Sequence, residues 1–125
     1  MKKEIREQVY NKYQGHCAYC GKKIEYKDMQ LDHIIPQWHL DDIRFNWQWD
    51  KIETIENYMP SCRRCNHYKR GSSLETFRKM IEEIPSKLFR DNYIFKVACD
   101  YGLFNSENQK IKFYFETVES EGRNG

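Results

Sequence analysis

Four of the five cysteines form two Cys-x-x-Cys pairs, Cys17 with Cys20 and Cys62 with Cys65, and 41 residues separate the pairs. Two such pairs brought together are the usual way to build a tetrahedral four-cysteine zinc site. A disulfide framework is the weaker interpretation, because the chain starts without an apolar export signal and a reducing compartment keeps thiols free. The alternative is two unrelated pairs of buried cysteines. We expect a structural Zn²⁺ that contributes on the order of 10 kcal/mol to folding.

Other polar residues between and beside the cysteine pairs offer a second kind of metal site. Asp32 and His33 are adjacent on a predicted strand, and Asn66 directly follows Cys65. The zinc site would bring this strand close to the helix that begins near Cys65. The Asp32 carboxylate and the Asn66 amide oxygen are ligands that suit Mg²⁺ or Mn²⁺. His33 points away from Asp32 on the strand and is available as a base.

A basic cluster lies around the second cysteine pair. Arg63, Arg64, Lys69 and Arg70 fall within residues 61–71, which contain no acidic residue. Such a cluster beside a metal site is suited to phosphate contacts. A solvated surface run is the alternative. Lys69 and Arg70, on the predicted helix, are the strongest candidates for contacts with a nucleic-acid backbone.

Hydrophobic periodicity places these residues on secondary structure. We predict a helix over 2–14 that Gly15 ends, and a strand over 29–35 that Pro36 stops. A helix can start over 65–69 after the second cysteine pair. Helical spacing returns from Leu74 to Ile84, with Ser72 or Ser73 as its cap and Pro85 as its stop, and again over 88–101. The alternating residues 111–116 predict a final strand.

Composition limits the classes of protein that remain. The chain has 125 residues, of which 39% are hydrophobic and 15% aromatic, which suits one domain. No apolar run approaches the ~18 residues that cross a bilayer, so we expect no membrane partner and a cytoplasmic location. The fifth cysteine, Cys99, lies in an apolar stretch and is expected in the core. A net charge of +2 argues against nucleic-acid binding by bulk charge and makes any binding depend on a local basic patch.

The order of the motifs resembles HNH endonucleases of the zinc-knuckle type. The motifs are Cys-x-x-Cys-Gly, Asp-His-Ile-Ile-Pro, an asparagine at position 57 and Cys-Arg-Arg-Cys-Asn-His-Tyr-Lys, and the resemblance covers roughly residues 15–72. It implies an α+β fold with a ββα-metal motif, in which a two-stranded hairpin and a helix hold one divalent cation. Here the motif would be stapled by the four-cysteine zinc site and flanked by helices and the short C-terminal strand.

The resemblance also implies roles for individual residues. His33 would be the general base that activates water, and Asp32 and Asn66 would bind the catalytic cation, Mg²⁺ or Mn²⁺. Asn57 would brace the hairpin loop and so orient His33. The cation would stabilise the charge on the leaving 3′-oxygen of a DNA phosphodiester.

The chain departs from the family pattern at two places. The third letter of HNH is commonly histidine, whereas this chain has Asn66, and the register favours Asn66 over the neighbouring His67. An amide oxygen favours Mg²⁺ or Mn²⁺ over Zn²⁺. A segment of about 20 residues replaces the short Gly-rich loop that follows the Asp-His element in many relatives. Its aromatic residues either cover a small core or stack on bases, and they include Trp38, His39, Trp47 and Trp49.

Two functional hypotheses from different classes follow. The first is a metal-dependent HNH endonuclease acting on DNA, with a single domain over 1–117 and a mobile tail over 118–125. Within that domain the nuclease core would occupy about 15–72 and a helical extension 73–117. The extension resembles that of small HNH proteins from phages and mobile elements, which makes a phage DNA-packaging complex a candidate partner. The second hypothesis is a non-catalytic zinc-knuckle module that binds nucleic acid.

Overall fold

The computed structural model describes residues 2–35 and 53–124, with side chains described through Glu119. It divides into two compact units, one formed by residues 1–74 with 112–125 and the other by residues 75–111. In chain order the elements are α1 (Lys3–Asn11), a 3₁₀ turn (Tyr26–Asp28), β1 (Gln30–His33), β2 (Tyr58–Ser61), α2 (Arg63–Lys69), α3 (Leu74–Glu82), α4 (Ile84–Asp91), α5 (Tyr93–Asp100) and α6 (Tyr114–Asn124).

The first unit is built on a two-stranded antiparallel sheet. β1 pairs with β2 so that Asp32 lies opposite Met59 and His33 lies opposite Tyr58. α2 follows β2 after one residue and packs against β1. The strand predicted over 29–35 and the helix predicted after the second cysteine pair are therefore present. This mixed helix and hairpin arrangement is the α+β fold that the motifs implied.

The turn that carries Cys17 and Cys20, the first knuckle, lies at the centre of this unit. α1 ends near it, and Gly15 reverses the chain with a φ of +80°. The amide of Ala18 donates to the carbonyl of Pro60 at 2.8 Å, which ties the knuckle to β2. The ring of Tyr19, within the knuckle, packs against Phe113 and Phe115. The buried side chains of this unit include Val9, Tyr13, Ala18, Tyr19, Ile24, Met29, Met59, Phe113 and Phe115.

The predicted C-terminal strand over 111–116 is wrong, because α6 begins at Tyr114. The amides of Tyr114 and Phe115 donate to carbonyls of the first knuckle at 3.0 and 2.8 Å, and no strand supplies these acceptors. The Glu116 carboxylate accepts from the amide of Phe113 at 2.7 Å and so caps the start of the helix. The alternation at Phe113 and Phe115 reflects two rings that are both buried in the core. The backbone of 118–124, predicted as a tail, continues this helix.

The second unit is helical. The helix predicted over 88–101 is divided at Asn92, whose side chain accepts from the amide of Phe95 at 2.8 Å and caps α5. Pro85, predicted to stop a helix, lies in the first turn of α4, where its missing N–H costs no hydrogen bond. Cys99 is half-buried, not a full core residue. Large apolar side chains of this unit are exposed, Tyr93, Ile94, Tyr101, Leu103 and Phe104 among them.

Among the helices that the structure describes, none is both long enough and apolar enough to cross a membrane.

Candidate functional site

The four cysteines of the two pairs meet beside the sheet. Their sulfur atoms all lie within 4.8 Å of one another, and the Sγ atoms of Cys20 and Cys62 are 3.9 Å apart. A tetrahedral zinc with Zn–S bonds of 2.3 Å requires sulfur separations of about 3.8 Å. The amide of Cys65 points at the sulfur of Cys62, 3.4 Å away, as expected for a knuckle turn that supports a thiolate. The cluster therefore fits a metal ion, and its thiol chemistry is that of zinc.

Without a metal, the thiols share protons. The Cys65 thiol donates a hydrogen bond to Cys17, which lowers the pKa of Cys17 to about 4, and backbone hydrogen bonds act in the same direction. The same shared proton, together with burial, raises the pKa of Cys65. Burial also raises the pKa of Cys20. At neutral pH the cluster thus holds protons that a zinc ion would have to displace.

Asp32, on β1, is buried, with only 6% of its surface exposed. The hydroxyl of Tyr19 donates to its Oδ2, and the Lys69 ammonium lies 3.0 Å from the same oxygen. None of the described contacts uses Oδ1. Tyr19 belongs to the first knuckle, so one hydrogen bond links the cysteine cluster to this carboxylate. Burial and the neighbouring Asp32 charge raise the pKa of Tyr19, which keeps the hydroxyl protonated as a donor.

The prediction that Lys69 contacts a nucleic-acid backbone is wrong. Its side chain is 1% exposed, and besides Asp32 it donates to the carbonyl of His33 at 3.1 Å. The Lys69 ammonium is engaged in an internal ion pair with Asp32 and cannot reach a phosphate from this buried position. Arg63, Arg64 and Arg70 are exposed, as a surface contact requires.

His33 faces away from Asp32 toward the other side of β1. Its Nε2 lies 3.2 Å from Oε1 of Glu53 without the geometry of a hydrogen bond, and it has no other partner among the described residues. The imidazole packs edge-on against Tyr58, with ring centres 5.3 Å apart, and the Tyr58 hydroxyl donates to Oε2 of Glu53 at 3.1 Å. Burial and this carboxylate raise the pKa of Tyr58. Sequence reasoning missed Glu53, which carries no motif signal in its irregular segment.

Asn57 holds the chain immediately after His33. Its Oδ1 accepts from the amide of Ile35 at 2.7 Å, and its Nδ2 donates to the carbonyl of Ile35 at 3.1 Å. The amide of Ile34 donates to the backbone carbonyl of Asn57 at 3.0 Å. Asn57 is 5% exposed. These bonds join the two ends of the hairpin loop directly beside the imidazole.

Asn66 lies on α2, half-buried, and lines an open cleft together with Gln30. Asp32 does not line this cleft, and no described contact joins Asp32 to Asn66. The structure therefore places these two oxygens on packed elements without bringing them into contact. Trp38, His39, Trp47 and Trp49 lie outside the described residues.

Comparison with known proteins agrees with this arrangement. Residues 17–71 match a family model described as HNH endonuclease. Neither the comparison with curated proteins nor that with solved structures returned a match. The matched stretch spans both cysteine pairs, the hairpin and α2. Residues 17–71 are therefore similar to HNH endonucleases, and within them four cysteines are placed to bind a metal ion.

Proposed function

We propose that this protein is a metal-dependent endonuclease that hydrolyses phosphodiester bonds of DNA. The observation that carries the proposal is His33, whose Nε2 has no hydrogen bond among the described residues. His33 follows Asp32 in sequence on β1, inside the stretch that matches the HNH family model. A histidine nitrogen that is shielded from bulk solvent and has no hydrogen-bond partner among the described residues is suited to accept a proton from a water molecule bound at the site.

The residues around His33 support a role as general base. Asn57 holds the backbone of Ile35, two residues after His33, and the Lys69 ammonium donates to the backbone carbonyl of His33. Glu53 places its Oε1 3.2 Å from Nε2 of His33. These three contacts position the imidazole ring.

Asp32 and Asn66 would hold the catalytic cation, Mg²⁺ or Mn²⁺. The donor set fits a hard cation, since it combines a carboxylate oxygen with an amide oxygen. When bound, the cation stabilises charge on the scissile phosphate and the leaving 3′-oxygen. Tyr19 and Lys69 both bind Oδ2 of Asp32 and so leave Oδ1 to face a ligand. The four-cysteine cluster would hold a structural Zn²⁺.

A plasmid-cleavage assay tests this function. The zinc-loaded protein is incubated with supercoiled plasmid and Mg²⁺ or Mn²⁺, beside His33→Ala. We expect the variant to lose at least about 100-fold in cleavage rate, because general-base catalysis contributes ~10²–10⁴-fold. Zinc content and DNA affinity of the two proteins serve as controls and should be equal. Equal cutting by both proteins would contradict the assignment of His33.

The non-catalytic zinc-knuckle module is favoured by one observation. The Lys69 ammonium already neutralises Asp32, the carboxylate that would attract the cation. If neither protein cuts in either metal while both bind DNA, the chain is a binding module and the nuclease proposal fails.

A further inference from the structure

An open cleft of 1080 Å³ lies between the loop that follows the first knuckle and the start of α2. Five basic side chains line it, and two acidic ones, Glu25 and Asp28. The basic residues are Lys22, Lys23, Lys27, Arg63 and Arg64. The cleft thus concentrates positive charge in a chain whose formal net charge is only +2.

Most of this charge is not neutralised internally. Lys27 pairs with Glu25 at 3.6 Å on the surface. Lys22 and Lys23 are exposed, and neither has an ion pair with any residue that the structure describes. Arg63 and Arg64, on the opposite wall, are also exposed and have no ion pair with a described residue. Exposed cations without partners attract phosphates and release the counterions that surround them.

The backbone under these side chains is fixed by the cysteine cluster. The amide of Cys17 donates to the carbonyl of Lys22 at 2.8 Å, and Lys23 bridges to His16 in an isolated antiparallel pair. On the other wall, Arg63 and Arg64 lie between the two cysteines of the second pair. A metal bound by the four thiolates would therefore hold both basic walls at a constant separation.

We propose that this cleft binds the sugar-phosphate backbone of duplex DNA and guides it toward the hairpin. Asn66, which is assigned together with Asp32 to the catalytic cation, lines the cleft, so a DNA backbone bound there would pass beside one of the two proposed cation ligands. The inference rests on the proposed function for the identity of the substrate. Its new content is the assignment of Lys22 and Lys23, outside the basic cluster of 61–71, to DNA contact.

A pair of charge-matched variants tests the cleft. In a His33→Ala background, which prevents cleavage during the titration, Lys22→Gln/Lys23→Gln is compared with Lys2→Gln/Lys3→Gln. All four lysines are exposed, and the two double variants change the net charge equally, but Lys2 and Lys3 lie outside the cleft. Binding to a labelled duplex of about 20 base pairs is measured by fluorescence anisotropy over a salt series, with zinc content checked for each protein.

We expect the cleft variant to bind at least about tenfold more weakly and to lose about two from the slope of log affinity against log salt. The control should stay within about twofold of the parent. Equal weakening of both variants would show attraction by overall charge and overturn the proposal, as would an unchanged cleft variant.

The same proteins separate this proposal from the nuclease assignment. If the His33→Ala parent binds DNA through the cleft but the protein with His33 restored does not cleave DNA, the proposal for the cleft stands and the nuclease assignment is wrong. If the protein with His33 cleaves DNA and the substitutions of Lys22 and Lys23 leave the DNA affinity unchanged, the nuclease assignment stands and the proposal for the cleft is wrong.

Discussion

Asp32 is the residue whose surroundings differ most from what its motif implies. A metal-binding carboxylate is expected to be open, yet Tyr19 and Lys69 hold its Oδ2 in a buried site. Two donors on one oxygen fix the rotation of the carboxylate and direct Oδ1 away from them. Tyr19 lies between the cysteines of the first pair, so the cysteine cluster and the carboxylate are joined by a single side chain.

Tyr19→Phe tests this link. Removing the hydroxyl leaves the carboxylate less well oriented, so we expect the Mg²⁺ or Mn²⁺ concentration for half-maximal cleavage to rise about tenfold, in line with about 1.5–3 kcal/mol for a hydrogen bond to a charged group. The rate at saturating metal should change less. Cleavage is measured as a function of metal concentration, a readout that a loss of stability alone does not move.

Tyr13→Phe is the matched control. Tyr13 is also buried, and its hydroxyl donates to a carboxylate, Glu119, at 3.2 Å. Its removal should lower stability without changing the metal requirement. A metal dependence that is the same in Tyr19→Phe as in the unmodified protein would show that Tyr19 plays no part in positioning Asp32.

At the level of elements, the first knuckle connects the sheet to the C-terminal helix. Its residues bond to β2 through Pro60 and to the first turn of α6 through the amides of Tyr114 and Phe115. Gly21 completes the turn with a φ of +80°, and a Cβ there would lie 2.7 Å from Cδ1 of Tyr114. The turn therefore has no space for a side chain on the face that α6 covers.

Gly21→Ala should destabilise the protein through two effects, strain at positive φ and a clash with the Tyr114 ring. Strain of this kind costs about 1–3 kcal/mol, and the clash adds to it. Gly102→Ala separates the two effects, because Gly102 has a φ of +75° but no atom within 4 Å of its added Cβ. We expect a larger loss for Gly21→Ala in chemical denaturation of the zinc-loaded protein. Equal losses would mean that α6 does not pack on the knuckle as described.

For the whole molecule, the cysteine cluster supplements a limited core. The chain is only 39% hydrophobic, and two of the four clustered cysteines, Cys17 and Cys62, are among its buried residues. A structural zinc in such a setting contributes about 10–16 kcal/mol at neutral pH, and this contribution depends on pH because the ligands must lose their protons.

The raised pKa values of Cys20 and Cys65 set the direction of that dependence. Both thiols are protonated at neutral pH without metal, so zinc binding releases two protons from them. Zinc affinity should therefore fall by at least about a hundredfold for each unit of acidification, and the stability that zinc supplies should fall with it. Competition with a chromophoric chelator between pH 8 and 6 measures this.

Cys99→Ser is the control, since Cys99 lies outside the cluster and its loss should leave zinc affinity unchanged. A zinc affinity that does not vary with pH would contradict the protonation of Cys20 and Cys65 in the metal-free protein.

Residue types and short spacings are sufficient to predict several parts of this protein. Two Cys-x-x-Cys turns have one geometry that suits a metal, so the cysteine cluster was predictable from the spacing alone. The strand bearing Asp32 and His33 and the helix over 65–69 were also predictable from local patterns, although the helix begins two residues earlier, at Arg63, and the strand ends at His33.

The remaining features depend on packing between segments that are far apart in the chain. Lys69 is one of several basic residues in its motif, and only the packing of α2 on β1 directs it into an ion pair with Asp32. Glu53 gains a role only because the hairpin brings it to His33. Residues 111–116 alternate like a strand, but the carbonyls that accept the amides of Tyr114 and Phe115 belong to a turn about 95 residues earlier in the chain. Contacts between distant residues leave no periodic signal in the sequence, because partners that are far apart are selected by three-dimensional fit.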